Sequence, residues 1–117
     1  MNEKCKLSFK NCMRLYRNGK KAFGPGIAML LELTEQYGTL SAAAAEMELA
    51  YSKAWRILNE CEDVLGVRLL ERNRGGKNGG GVFLTDAGRN VLQNYRKFCS
   101  EAEGKNTEIF NKYFNGE

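Results

Sequence analysis

The sequence predicts a mainly α-helical fold with a small β component, and three observations support this. Apolar residues recur at helical spacing in three separate segments. A basic, glycine-rich stretch lies between two short apolar runs, and an Asn-Gly pair near the start is typical of a tight hairpin. With 117 residues and 43% hydrophobic composition, residues 1–117 are expected to form a single domain around one core.

The N-terminal stretch from Lys6 to Phe23 is predicted to be extended. Leu7 and Phe9 alternate with polar residues. Asn18-Gly19 favours a type I′ turn, because both central positions of that turn need a positive φ. We therefore expect a strand or two here, turning at residues 18–19 and ending near Phe23.

A first helix is predicted after Gly24-Pro25-Gly26, since proline is tolerated in the first turn of a helix. Its apolar face consists of Ile27, Leu30, Leu31 and Thr34, with Leu33 and Tyr37 widening it. Gly38 is expected to end this helix.

Two further helices are predicted between residues 40 and 66. Ser41 is expected to cap a short, alanine-rich helix that runs to about Leu49. After a turn of about four residues, a second cap candidate near Ser52 precedes a longer helix that ends at Gly66. Its core-facing residues would be Ala54, Ile57, Leu58, Cys61 and Leu65. A short helix, a tight turn and a longer helix with a polar exposed face are typical of a helix-turn-helix.

Residues 68–85 are predicted to form a hairpin with a long basic tip, the wing. Val67 to Glu71 would be one strand and Val82 to Leu84 the other, around five glycines in residues 72–81. Glycines allow close approach of the backbone to a phosphate, and Arg72, Arg74 and Lys77 supply charge. A nucleotide phosphate cradle would need a helix after the glycines, whereas Gly81 leads into a strand. A merely flexible loop stays open as an alternative.

Thr85 is expected to cap a final helix whose apolar stripe is unusually long. The stripe includes Ala87, Val91, Leu92, Tyr95, Phe98, Cys99 and Ala102. Gly104 is expected to interrupt it before Ile109, Phe110, Tyr113 and Phe114 continue the pattern. Because the stripe exceeds what one small domain needs to bury, we expect a homodimer formed through the terminal helices.

The charge distribution favours a polyanionic partner. The net charge is +4, and residues 1–24 contribute seven cations against one acid. In the remainder, eleven cations face thirteen acids, and the cations gather within residues 68–89 as Arg68, Arg72, Arg74, Lys77 and Arg89. Positive charge is thus concentrated in two stretches, which suits binding to nucleic acid through one face.

The composition argues against several other classes of protein. There is no histidine, and Cys5, Cys12, Cys61 and Cys99 are too widely spaced for a metal site. We expect no enzyme, no cofactor, no metal and reduced thiols, although a thiol sensor using Cys61 or Cys99 is a weaker alternative. No segment predicts a membrane span or a signal peptide, so a cytoplasmic protein is expected.

The predicted DNA contacts begin at the N-terminal end of the longer helix, which would enter the major groove. Tyr51, Ser52, Lys53 and Arg56 lie there, with Asn59 one turn further on. The alternative is an ordinary pair of packed helices with a solvated charged face. Trp55 is expected to pack between helices rather than to touch DNA.

The run from Gly24 to Leu92 resembles the N-terminal DNA-binding domain of ModE-type, molybdate-responsive regulators, which are related to the winged helix of LysR-type regulators. The shared elements are G-P-G before the first helix, G-T-L-S-A-A-A, Y-x-x-A-W and R-G-G-K-N-G-G-G. The string LGVRLLER, followed later by LTDAG, also resembles LysR-type regulators. The resemblance extends over about residues 12–100.

The resemblance implies a winged helix-turn-helix that dimerises through terminal helices and binds a palindromic operator in double-stranded DNA. It places Ser41 and Ala42 at the start of the first helix of the motif. The pattern and the resemblance together give the candidate DNA-binding residues Ser41, Tyr51, Ser52, Lys53, Arg56, Arg72, Arg74, Gly75, Gly76 and Lys77. Two departures matter: Ala50 replaces a serine common in the family, and the chain ends at Glu117 without the oxyanion-binding region. A stand-alone regulator with an unknown effector is therefore expected.

The leading functional hypothesis is a dimeric, sequence-specific DNA-binding transcription regulator. The alternative is a protein-interaction module that keeps the winged fold without binding DNA. The acids Glu60, Glu62 and Asp63 in the longer helix leave room for that alternative.

Overall fold

The computed structural model describes residues 7–72 and 81–115, and within them the chain forms four helices and four short strands. In chain order these are β1 (Leu15–Arg17), β2 (Lys20–Phe23), α1 (Pro25–Tyr37), α2 (Leu40–Glu46), α3 (Tyr51–Leu65), β3 (Leu70–Arg72), β4 (Val82–Leu84) and α4 (Asp86–Phe114). This order confirms the predicted mainly α fold with a small β component.

The N-terminal hairpin turns where the sequence predicts. β1 and β2 pair antiparallel, and Asn18 and Gly19 both have positive φ, 51° and 79°. The strands are shorter than expected, because residues 7–14 form no strand. That arm lies along α4 instead: the Phe9 and Phe110 ring centroids are 4.8 Å apart, and the Tyr95 hydroxyl donates to the Met13 carbonyl.

The core lies between the first three helices. Leu30, Leu31 and Leu58 are completely or almost completely buried. Ala43 and Ala54 are also buried, and their small side chains allow α2 and α3 to approach closely. The helical periodicity of the sequence therefore identified the core faces of α1 and α3 correctly.

The starts of α2 and α3 differ from the predicted caps. Thr39, not Ser41, caps α2, since its hydroxyl oxygen accepts a hydrogen bond from the Ala42 N–H at 3.2 Å. Gly38 ends α1 in a left-handed conformation, so the next residue is already extended and the new helix starts at once. Ser41 is therefore an exposed residue inside α2. At α3, Ala50 occupies the cap position without a side-chain hydrogen bond, and Ser52 lies within the helix.

The strands of the wing are tied to the helices at both ends. β3 and β4 pair antiparallel, with Leu70 opposite Leu84 and Arg72 opposite Val82. The Val82 N–H donates to the Gly38 carbonyl at the end of α1 at 3.1 Å. A side chain at Gly81 would come within 2.8 Å of that same carbonyl, so only glycine fits there.

α4 is one continuous helix of 29 residues, about 43 Å long at the helical rise of about 1.5 Å per residue. Thr85 caps it by accepting from the Gly88 N–H, as predicted. The expected interruption at Gly104 is wrong, because the good helix formers around this residue outweigh its unfavourable propensity. No helix in residues 7–72 and 81–115 is long and apolar enough to cross a bilayer.

Candidate nucleic-acid interface

α3 is amphipathic, and its outer face carries the predicted reading residues. Ala54, Leu58 and Cys61 face the core. On the opposite side, Ser52, Lys53 and Arg56 are exposed and lie within one turn of each other. Tyr51, at the first position of the helix, is 49% exposed. The structure thus brings these four predicted residues together on one surface.

The turn between α2 and α3 is short and held by backbone hydrogen bonds. Glu48 adopts a left-handed conformation with φ of 57°, and the Leu49 N–H donates to the Ala44 carbonyl at 2.8 Å. This geometry ends α2 at Glu46, three residues before the predicted end. Ser41 is exposed on the first turn of α2, on a different helix from the other reading residues.

The base of the wing lies against α3. The Arg72 guanidinium carbon is 4.8 Å from the centroid of the Trp55 ring, which is a cation–π distance. Arg72 is therefore an exposed cation next to the reading helix. The remaining predicted wing residues, Arg74, Gly75, Gly76 and Lys77, lie outside the described residues.

Glu62 is a structural residue that the sequence did not identify. Its carboxylate accepts hydrogen bonds from the Leu69 N–H at 2.7 Å and the Leu70 N–H at 3.4 Å. It thereby fixes the start of β3 to α3. The signal in the sequence was its spacing, since Glu62 lies seven residues after Trp55 and so shares its helical face.

Arg17 anchors the N-terminal hairpin to the other end of α3. One guanidinium nitrogen donates to the Val64 and Leu65 carbonyls at 3.3 and 2.9 Å. The last carbonyls of a helix have no partner within the helix and carry partial negative charge, so a cation is favourable there. A shallow pocket of about 240 Å³ adjoins this contact, lined by Arg17, Asn18, Lys20, Asp63 and Val64.

Two arginines of α4 form ion pairs with acidic residues of the same chain. Arg89, counted in the sequence as part of the second basic stretch, is 3.5 Å from Glu35 and 3.6 Å from Asp86. Arg96 makes a bidentate contact with Glu32, and this hydrogen bonding raises the pKa of the guanidinium. These cations pair with acids of the same chain, whereas Lys53 and Arg56 make no ion pair with any described residue.

The cysteines of the described residues are free thiols. Cys61 is buried, and this burial raises the pKa of its thiol, which disfavours the reactive thiolate. Cys99 is half-buried, while Cys12 is exposed. Cys5 lies outside the described residues. No cluster of metal-ligand side chains occurs within residues 7–72 and 81–115.

Comparison with known proteins agrees with this geometry. Residues 29–89 match the model of the bacterial regulatory helix-turn-helix protein, lysR family. The chain is 39% identical over 71 residues to the transcriptional regulator ModE of Haemophilus influenzae, covering 61% of this chain and 28% of the relative. It is 37% identical over 67 residues to the molybdenum transport protein ModE of Azotobacter vinelandii, covering 57% of this chain and 25% of the relative.

The solved structures give the same fold. A DNA complex of the CbnR DNA-binding domain superimposes with a TM-score of 0.56 at 25% identity, covering 72% of this chain and 91% of that chain. The winged helix-turn-helix and the resemblance to ModE-type regulators are thereby confirmed. The matched region spans about a quarter of the length of the curated relatives, 28% and 25%.

Proposed function

Because the chain belongs to the LysR family of bacterial regulatory helix-turn-helix proteins, we propose that it binds double-stranded DNA sequence-specifically as a homodimeric transcription regulator. The observation that carries the proposal is the surface formed by the outer face of α3 and the base of the wing. There, Lys53, Arg56 and Arg72 are exposed on adjoining elements. Membership in a family of transcription regulators also agrees with the expectation that the chain is not an enzyme.

In the proposed complex, the N-terminal half of α3 lies in the major groove. Arg56 and Lys53 have donors that match guanine O6 and N7, and Tyr51 and Ser52 can donate to phosphate oxygens. Ser41, on the first turn of α2, is placed to contact the DNA backbone, since the first helix of the motif crosses it. The absence of histidine makes this contact set independent of pH near neutrality.

The wing is proposed to follow the phosphate backbone or enter the minor groove. Arg74 and Lys77 would supply the charge, while Gly75 and Gly76 allow the backbone to come close. Arg72 would act at the base of the wing, nearest to α3.

Dimerisation is proposed to occur through α4. Four large apolar side chains remain 46–68% exposed along it: Phe98, Ile109, Tyr113 and Phe114. Apolar surface of this extent on one helix is typical of a protein–protein contact. A twofold dimer would present two reading helices to half-sites about 34 Å apart, and hence to a palindromic operator. The cytoplasm, where the bacterial chromosome lies, is the corresponding location.

The alternative, a winged module that recruits a protein without binding DNA, depended on the acids of α3. Glu62 uses its carboxylate to bind β3 and is therefore not available as a partner contact. Glu60 and Asp63 are exposed, but they lie on the C-terminal half of α3. This arrangement favours DNA binding over the alternative.

The proposal is tested by selecting bound duplexes from a random pool and measuring their affinity by fluorescence anisotropy. We expect the affinity to fall steeply as salt rises, with a smaller slope for Lys77→Gln, because loss of this proposed phosphate contact releases one counterion fewer. Lys97→Gln is the matched control, since Lys97 is exposed about three turns into α4 and makes no ion pair with any described residue. Affinity that is independent of salt, or selection that yields no common sequence, would contradict the proposal.

A further inference from the structure

The pleat of β3 directs the Arg72 side chain toward α3, where it remains exposed. Side chains two residues apart on a strand share a face, so Arg72 lies on the same side as the buried Leu70. Val82, opposite Arg72 in the ladder, is buried on that side as well. The Arg72 guanidinium, at the end of β3, therefore contacts the surface of α3.

α3 holds β3 at two points with matched spacing. Trp55 contacts Arg72 at the end of the strand, and Glu62 accepts from Leu69 at its start. Seven residues of helix and three residues of strand both span about 10 Å. Because the two distances agree, the strand can lie along the helix without distortion at either contact.

The indole of Trp55 contributes its ring face rather than its N–H group. Its nitrogen is buried without a hydrogen-bond partner among the described residues, which is unfavourable for a polar atom. The ring face, in contrast, has the Arg72 guanidinium 4.8 Å from its centroid, and the Tyr51 ring meets it at 85° with centroids 6.3 Å apart. Tyr51, Trp55 and Arg72 thus form a continuous row of contacts from the start of α3 to the base of the wing.

We propose that Trp55 is a positioning residue that holds Arg72 beside the reading helix, so that α3 and the wing meet DNA as one unit. The cation–π contact uses none of the guanidinium N–H donors in a conventional hydrogen bond, so these donors can bind a phosphate. An arginine fixed in advance loses less conformational entropy when it binds. This inference rests on the proposed DNA binding. In it, Trp55 does not touch DNA itself but positions Arg72, which does.

A double-mutant cycle on the selected duplex tests the inference, using Trp55→Leu, Arg72→Gln and the double variant. We expect Arg72→Gln to weaken binding about tenfold and Trp55→Leu about fivefold, since a displaced Arg72 no longer meets its phosphate. The double variant is expected to bind no more weakly than Arg72→Gln alone. The matched control pairs Trp55→Leu with Lys53→Gln, where the two losses should multiply.

Two further measurements separate positioning from packing. Trp55→Phe keeps an aromatic face without the unpaired N–H, so its affinity should stay within about threefold of the parent. Trp55 is the one tryptophan of the chain, so its fluorescence in the free protein should change in Arg72→Gln and not in Arg68→Gln. If Trp55→Leu does not fold, Trp55→Phe and the fluorescence comparison still decide the question.

The outcomes distinguish this inference from the proposed function. A parent protein that binds no duplex refutes the proposed function, and this inference with it. A parent that binds, while the losses of Trp55→Leu and Arg72→Gln multiply, refutes this inference alone. Unchanged fluorescence in Arg72→Gln also refutes it, because the stacking contact would then not exist in solution.

Discussion

The region around α3 and the C-terminal part of α4 differ in how their side chains are used. Around α3, the surrounding elements are fixed by specific contacts: Arg17 binds its last carbonyls, Glu62 binds β3 and Trp55 stacks on Arg72. Beyond Gly104, α4 contacts the N-terminal arm and leaves Ile109, among others, exposed. The first region is fixed by specific contacts, as the proposed DNA binding requires, whereas the second leaves apolar surface exposed, as the proposed dimer requires.

The largest effect is expected where the two regions join, at Gly88. A Cβ at this position would overlap the backbone of Leu69, so the first turn of α4 could not lie against the segment that leads into β3. We expect Gly88→Ala to lower the free energy of unfolding by about 3 kcal/mol or more, because the obstacle is backbone and cannot rotate away. Urea denaturation measures the loss.

Gly104→Ala is the matched control, since nothing lies within 4 Å of a Cβ there. The same substitution should stabilise the protein by about 0.5–1 kcal/mol, because alanine is the better helix former. Equal losses in both variants would mean that Gly88 does not lie against the Leu69 backbone.

A charge on the distal face of α4 should break the proposed dimer and leave the first region folded. Ile109 is 56% exposed, and Ile109→Lys would bury an unpaired ammonium in the interface. We expect self-association to weaken by at least about tenfold in sedimentation equilibrium, with helix content unchanged. Ser100→Lys adds the same charge at an exposed position nine residues before Ile109, on the opposite face of the helix, and should leave the association constant unchanged. A parent that is monomeric at high concentration would rule out the interface.

Glu62→Gln should loosen the wing. Removing the charge weakens the hydrogen bonds to Leu69 and Leu70, and we expect a loss of about 1 kcal/mol in unfolding free energy. Faster amide exchange at Leu69 would locate the change. Glu60→Gln removes the same charge from an exposed position and should alter stability by less than about 0.5 kcal/mol. Similar losses in both variants would contradict the anchoring role of Glu62.

The smallest effect is a gain, at the uncapped start of α3. Ala50 is extended, with φ of −64° and ψ of 143°, and its side chain makes no cap. Ala50→Ser should stabilise the protein by about 0.5–1 kcal/mol by accepting a free N–H of the first turn. Ala45→Ser, inside α2 and exposed, should instead destabilise slightly in the same thermal melts. A loss at residue 50 would show that another group already accepts the free N–H.

Local patterns in the sequence predicted the helices, the hairpin turn and the exposed reading residues of α3. The cap of α2 was not predictable from residue type, since Thr39 and Ser41 are equally suitable. The left-handed Gly38 decides between them, because it makes the following residue extended. Gly104 has poor helix propensity, but the helix continues across it because the neighbouring residues favour helix.

The roles of Trp55 and Glu62 depend on tertiary packing, which no local pattern contains. Trp55 was expected to pack between helices; it packs against the core, and it also has Arg72 of β3 over its ring, which was not foreseen. Glu62 was counted among the acids that could bind a partner, although its carboxylate faces the backbone of its own chain. The roles of both residues depend on β3 lying along α3. This contact follows from how the helices and strands pack in three dimensions, not from which segments are helices or strands.

The docking of the arm on α4 has a consequence for how the protein is made. Phe9 packs on Phe110, and Asn11 accepts a hydrogen bond from Asn106. Both contacts join residues about a hundred positions apart in the chain. During synthesis, the arm emerges from the ribosome long before the segment on which it packs. It therefore remains undocked until α4 has been translated, and this closure is expected to be among the last and slowest steps of folding.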